Sequence, residues 1–599
     1  MCSRVILVAL SLCCCAAQPA FQLSDDVVPT HYVVDLTIDP AQPTFSGTVI
    51  IKLELKKPTR VIWLHAKDII FDAAQVDQTD RSLDARGEAV AGEFIRVDLP
   101  VTLSGTLALR INYHGKLDDK SVVGPYRRKV GDDWYVFTTF TPIDARRALP
   151  CFDDPRFKTP WLFQIHTRRD LKAFANGAEE KVVDEPGNMK MTRFVETKPL
   201  PSEVVAFAIG PFDVLEGAPA GHGTPIRVIT TRGLAGQAKA AAQATVDVLP
   251  RLEAYTAMAY PFGKLDHIAL PEGAYGAVEN PGLITYRQTG LLAAPGADTP
   301  EKTRGIRSIQ SHEIAHQWFG DLVTQATWKD VWLSEGFATW FSAKVMDEEQ
   351  PPARKHLSAV ASRERIMAME SGPRARPVRL AMNSREDTRG VYGRVVYDKG
   401  ASILLMLDGW LGEDKVREGL RAYLKQHAFG NANTKDLESA LRASSGIDPA
   451  PVMDSFLDQV GIPVIRADCK GGKVNIASAG SWSVPVCVRG AGLSSDEVSQ
   501  TCGVIDAGHH AIDLKRACPA WIETNSGGTG YYRTEWSAIQ LSALSASMDR
   551  GLAQLSAAER LTLVYDLRAM KASPEASALL TRLADDAEPE IANAARHDR

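Results

Sequence analysis

A chain of 599 residues is long enough for about four domains with sizeable cores. Hydrophobic residues make up 45% and charged residues 24%, the ordinary balance of a globular protein. The formal net charge of -5 leaves no basic footprint, which excludes nucleic acid and other polyanions as partners.

In chain order, Met1 to Ala20 carries Arg4, the apolar run Val5 to Ala17, and small residues before the polar Gln18, the pattern of a secretory signal peptide (residues 1–20). The run is short for a membrane span and no other long apolar stretch follows, so a soluble exported protein, periplasmic or secreted, is expected. A bacterial lipoprotein signal would place its lipid-accepting Cys after a small residue. Here Leu12 precedes Cys13, which makes anchoring the lesser alternative.

Residues 21–213 alternate in strand fashion: Tyr32, Val34, Leu36 and Ile38 against His31, Asp35 and Thr37, then Val49, Ile51, Leu53 and Leu55 against Thr48, Lys52 and Glu54. An antiparallel β domain follows from that pattern. From about Ile226 the texture turns helical, with an Ala-rich stretch from Leu234 to Leu249 and helical spacing around 305–320, 333–347 and 399–411. This defines a metal-binding domain over residues 214–461. Residues 462–533 return to short strands with Gly-rich turns, a small β-sandwich. Residues 534–599 are helical: Ser556 with Glu559 forms a capping-box pattern, and Ser573-Pro574-Glu575 and Glu588-Pro589-Glu590 read as helix starts. So short a helical array is expected to be incomplete. The fold class is multidomain α+β.

Of the nine Cys, four lie in the leader. Cys469, Cys487, Cys502 and Cys518 cluster in the β-sandwich, where an exported chain would form two disulfides. Three pairings are open; Cys487 with Cys502, flanking a hairpin pattern, is favoured. Cys151 is expected as a buried free thiol.

The chemistry concentrates in Ser311-His-Glu-Ile-Ala-His-Gln-Trp-Phe-Gly320 and Val331-Trp-Leu-Ser-Glu-Gly-Phe-Ala338. On a helix, His312 and His316 project from one face a turn apart and can share one metal ion, while Glu313 lies about 100° round, better placed to act on a water than to be a ligand. Glu335 follows after 18 intervening residues, room for a second helix to return a carboxylate. Two His and one Glu leave a fourth position open, the mark of a catalytic zinc site, one ion per chain. Chance yields His-Glu-x-x-His in about one or two sequences per hundred of this composition, and requiring the later Glu lowers that to about one in a thousand.

With these residues laid out, the chain resembles the aminopeptidase N family of zinc metallopeptidases. The resemblance is carried in order by Phe45-Ser-Gly47, Asp144-Ala-Arg-Arg-Ala-Leu-Pro-Cys-Phe-Asp-Asp-Pro155, Leu200-Pro201 with Ala206-Phe-Ala-Ile-Gly210, and Gly276-Ala-Val-Glu-Asn280. The zinc motif, Val396-Tyr-Asp-Lys-Gly400 and Gly530-Tyr-Tyr-Arg533 follow. It implies an N-terminal β-sheet domain, a thermolysin-like catalytic domain, a β-sandwich and a C-terminal helical repeat domain. It further implies a hydrolase that removes N-terminal residues from peptides with a free N-terminus. Glu313 would be the base and Tyr397 the donor to the oxyanion. Glu279, in the loop of Gly276, Ala277, Val278 and Asn280, would bind the substrate α-amine, with Tyr275 and Thr141 also in the substrate site. The sequence departs from the family at Val278 (Met in relatives), Pro281, Ser334 (Asn in relatives) and Thr141, where relatives carry Gln or Glu. A hydroxyl there brings no charge to the amine. The rivals are a related zinc hydrolase, endopeptidase or epoxide hydrolase, and a catalytically silent peptide-binding protein. Glu279, which presupposes a free amine, argues against the endopeptidase, and the intact ligands, base and tyrosine argue against the silent protein.

Overall fold

The computed structural model describes residues 17–596 apart from 80, 374, 479, 492–498, 507–508, 514–517, 519–520, 547–554 and 571–572. Most of the expected signal peptide, residues 1–16, lies outside the described residues. The chain divides into two compact units, Met1–Pro211 and Phe212–Arg599.

In the first unit the alternating segments form an eight-stranded sheet. Its order is Glu179–Glu185, Met189–Phe194, Trp161–Arg168, Val27–Ile38, Thr44–His65, Phe94–Lys116, Ile69–Gln78 and Arg81–Val90. Tyr32, Val34, Leu36 and Ile38 are buried as their period of two requires. One pairing differs from the antiparallel expectation: Val27–Ile38 runs parallel to Trp161–Arg168, with Tyr32 opposite Trp161. Parallel neighbours need a long crossover, and the more than one hundred residues between these strands provide it. The stretch Asp144 to Pro155 is held by a buried ion pair, Arg146 Nε donating to Asp153 Oδ2 at 2.8 Å, while Ser202 Oγ donates to Asp153 Oδ1 at 2.6 Å. Cys151 is a buried free thiol, as expected.

The second unit opens with a five-stranded sheet, Asp213–Glu216, Ile226–Thr230, Leu265–Leu270, Leu283–Arg287 and Ala277–Val278, the last at the edge. The Ala-rich helix spans Lys239–Thr256. It starts after a 3₁₀ turn at Ala235–Gln237 and continues past Pro250, whereas the sequence pattern spanned Leu234 to Leu249. Helices Pro300–His316, Trp332–Glu348, Leu357–Glu370 and Gly400–Leu411 follow, the last preceded by a π-helical turn, Val395–Lys399. Beyond them, two small sheets carry both disulfides, Cys469–Cys518 and Cys487–Cys502, the second pair directly opposite each other on neighbouring strands. In the tail, the expected capping box forms: Glu559 N–H donates to Ser556 Oγ and Ser556 N–H to Glu559 Oε2. Among the described residues no helix is long and apolar enough to cross a membrane.

Candidate metal centre and its surroundings

The helix Pro300–His316 begins at Thr299, whose side chain accepts from Lys302 N–H, with Pro300 at the first position, where a missing N–H costs nothing. Its last turns project His312 and His316 side by side, their Nε2 atoms 3.0 Å apart. Glu335, in the first turn of Trp332–Glu348, brings Oε2 to 3.3 Å from His312 Nε2 and 3.4 Å from His316 Nε2. This oxygen is buried and, among the described residues, makes no hydrogen bond of good geometry. Ligands at 2.0–2.1 Å from a tetrahedral ion stand about 3.3 Å apart. The three atoms therefore already form one face of such a coordination shell, and the residues fit a metal.

The electrostatics point the same way. His316 lies among Glu279, Glu313 and Glu335, whose combined charge outweighs burial and pushes its imidazole well above the usual range. Burial lowers His312. Burial also works to raise Glu335, but the two imidazoles hold it down to about 2. Three carboxylates converging on a buried spot create a negative potential that a divalent cation answers. Glu279, Glu313 and His316 form a second group within 4.8 Å of one another, sharing His316 with the first. Burial raises Glu313 well above its ordinary value, with His316 opposing and Glu279 and Glu335 adding to the rise.

Several residues without a role in the sequence reading prove to hold this geometry. His316 Nδ1 lies 2.9 Å from Ser334 Oγ and 3.2 Å from the Phe319 carbonyl, which in the neutral imidazole that a metal requires keeps the proton on Nδ1 and leaves the Nε2 lone pair facing Glu335 and His312. Gly320, at φ +127°, makes room for this: a Cβ there would stand 2.3 Å from Ser334 Oγ. Gly336 and Gly400 are the contact between the Glu335 helix and the helix after Tyr397, a Cβ on either meeting the other's backbone at 3.1 Å. Gln317 donates to the Glu279 carbonyl at 2.7 Å and accepts from Tyr260 OH at 3.1 Å, tying the 276–282 loop to the histidine helix. For the Ser334 and glycine contacts, a small residue inside a motif was the sequence signal; Gln317 with Tyr260 had none.

Tyr397 stacks near His312, ring centroids 6.0 Å apart and 16° from parallel. Burial, then Glu335 and Glu279, push its hydroxyl well up, so it stays a proton donor. Glu279 follows the edge strand Ala277–Val278, which pairs with Leu283–Arg287, and Asn280 donates to Thr285 Oγ1 at 3.3 Å. The Gly276 carbonyl accepts from Arg287 N–H, and the Tyr275 ring lies 6.1 Å from Tyr392. Thr141 belongs to the first unit, buried, its hydroxyl donating to the Glu203 carbonyl at 3.1 Å. A cavity of about 1060 Å³ opens from His312 and Tyr397 toward Thr339, Trp340, Arg304 and Arg394.

Residues 28–204 match the Peptidase M1 N-terminal domain and residues 240–456, which contain all of these second-unit groups, match the Peptidase family M1 domain. The chain belongs to the M1 peptidase family. This M1 chain is 32% identical over 546 residues to Aminopeptidase M1 of Arabidopsis thaliana, covering 85% of the chain and 61% of that protein. It is 30% identical to Aminopeptidase 2 of Candida albicans and 28% identical to Glutamyl aminopeptidase of Mus musculus, in each case over 92% of the chain and 61% of the relative. The chain thus spans about three fifths of the length of these relatives.

Proposed function

We propose that the protein is a zinc aminopeptidase that releases N-terminal residues from peptides. The observation that carries this reading is the pairing of two groups around His316: a three-donor metal site, and beside it two further buried carboxylates that the metal does not need as ligands. His312, His316 and Glu335 would hold Zn2+, which when bound acidifies a water and polarises the substrate carbonyl. Glu313 is the general base: its raised carboxyl takes a proton from the attacking water and returns it to the leaving amine nitrogen. The Tyr397 hydroxyl donates to the substrate oxygen as charge grows there. Glu279 pairs with the α-ammonium and so sets which peptide bond meets the base, with Gly276, Ala277, Val278 and Asn280 along the substrate backbone; the family resemblance adds Tyr275 and Thr141 as substrate-binding residues. The cavity beyond His312 has room for several residues of a peptide. On the same reading the chain divides into a leader (1–20), a β domain (21–213), a thermolysin-like domain (214–461), a β-sandwich (462–533) and a helical segment (534–599). The two disulfides support export to an oxidising compartment.

A panel of free-amine and N-blocked fluorogenic peptides, with and without chelator, tests this. Chelator-sensitive release from free-amine substrates alone is expected, and Glu313→Gln should retain zinc while turnover falls at least about 10²-fold. Cleavage of blocked substrates at equal rate, or near-normal turnover in zinc-loaded Glu313→Gln, overturns the assignment.

A further inference from the structure

Two motifs of the sequence, Tyr397-Asp-Lys-Gly400 and Gly530-Tyr-Tyr-Arg533, lie about 130 residues apart and meet at one helix, Leu357–Glu370. The residues on either side of this meeting are buried and charged. Lys399 Nζ donates to Glu370 Oε1 at 2.8 Å with both side chains out of solvent, and to the Gln459 carbonyl at 3.2 Å. The Tyr531 hydroxyl donates to the other oxygen, Glu370 Oε2. Two turns further back, Ser362 Oγ donates to Asp398 Oδ1 at 3.2 Å. Arg363 donates to the carbonyls of Gly528 and Gly530 at 2.6 and 2.7 Å, and Arg533 pairs with Glu364. The two residues after Tyr397 are therefore both gripped by one helix, and that helix is in turn fixed to the bend bearing Tyr531, just before the strand Arg533–Thr534.

As a source of stability this is a poor arrangement. Burying each ion costs several kcal/mol, and Glu370 is the last residue of its helix, where the backbone dipole disfavours a carboxylate. Such pairs are retained where they fix a register. The register at issue is that of Val395–Lys399, a π-helical turn, a form concentrated at functional sites, which presents Tyr397 to His312 on one side and Lys399 to Glu370 on the other.

We propose that Glu370 and Tyr531 are positioning residues for Tyr397, acting through Lys399 to set the height of the phenol over the metal centre. This rests on the reading of Tyr397 as the donor to the developing oxyanion. Tyr531→Phe removes one hydroxyl and no bulk; Glu370→Gln keeps the shape and removes the charge.

The test is a double-mutant cycle on kcat with Tyr397→Phe, run on zinc-loaded full-length protein. Tyr531→Phe and Glu370→Gln should each lower kcat about tenfold with KM within twofold, zinc content unchanged and the thermal transition retained. In the Tyr397→Phe background the same substitutions should have no further effect, since there is no hydroxyl left to position. Should Glu370→Gln fail to fold, Tyr531→Phe alone decides. Additive losses in the two backgrounds, or a Tyr531→Phe enzyme with wild-type kcat, overturn the positioning role while leaving Tyr397 in place. A Tyr397→Phe enzyme with wild-type kcat overturns both.

Discussion

Removing the Ser334 hydroxyl should weaken metal binding without touching a ligand. Ser334 is buried, and its Oγ accepts from His316 Nδ1–H at 2.9 Å while donating to the Phe319 carbonyl at 3.2 Å. Loss of such a partner to a metal-bound imidazole typically costs ten- to a hundredfold in metal affinity. In Ser334→Ala the Phe319 carbonyl remains at 3.2 Å from Nδ1 and preserves the tautomer, so the effect should fall at the low end, about tenfold or about 1.4 kcal/mol. Zinc affinity measured by competition with a chromogenic chelator reads this directly, independently of turnover, with circular dichroism to verify folding. A folded Ser334→Ala protein that binds zinc within twofold of wild type would refute the claim that this hydroxyl orients His316.

Glu279→Ala should cost about ten- to a hundredfold in kcat/KM on free-amine substrates and little on N-blocked ones, the worth of one charge-assisted hydrogen bond; an unchanged preference would move the ammonium to another acid. Thr141→Glu, a change to one of the two residues (Gln or Glu) that the family resemblance leads one to expect there, should tighten free-amine substrates. Alkylation of the unfolded, unreduced protein lacking residues 1–20 should label Cys151 alone, whereas labelling of Cys469 or Cys487 would exclude the disulfides. Glu523, buried beside Glu559 and Asp566, has its carboxyl raised from 4.5 to about 8 chiefly by burial, so its contribution to stability is complete below pH 4.5 and is lost as pH rises through 8. Thermal and urea unfolding should show stability falling between pH 5 and 8, and Glu523→Gln should remove about 1.4 kcal/mol per pH unit of that fall; an unchanged slope would show that Glu523 ionises normally.

What the sequence determined by itself was local. The adjacency of His312 and His316 follows from helical pitch, the burial of Tyr32, Val34, Leu36 and Ile38 from the pleat, and the Ser556 capping box from a four-residue pattern, because each depends on backbone geometry within a few residues. Ser334, by contrast, was visible only as a departure from a motif; its bond to His316 exists because the helices bearing the two residues meet where Gly320 lacks a side chain. The parallel neighbour of Val27–Ile38 and the Lys399–Glu370–Tyr531 cluster were decided by the tertiary structure alone. Glu370 is 29 residues from Lys399 and 161 from Tyr531, separations at which no periodicity of the chain specifies a partner. Only the packing of elements against one another brings those charges together, and burial then makes each dependent on the others.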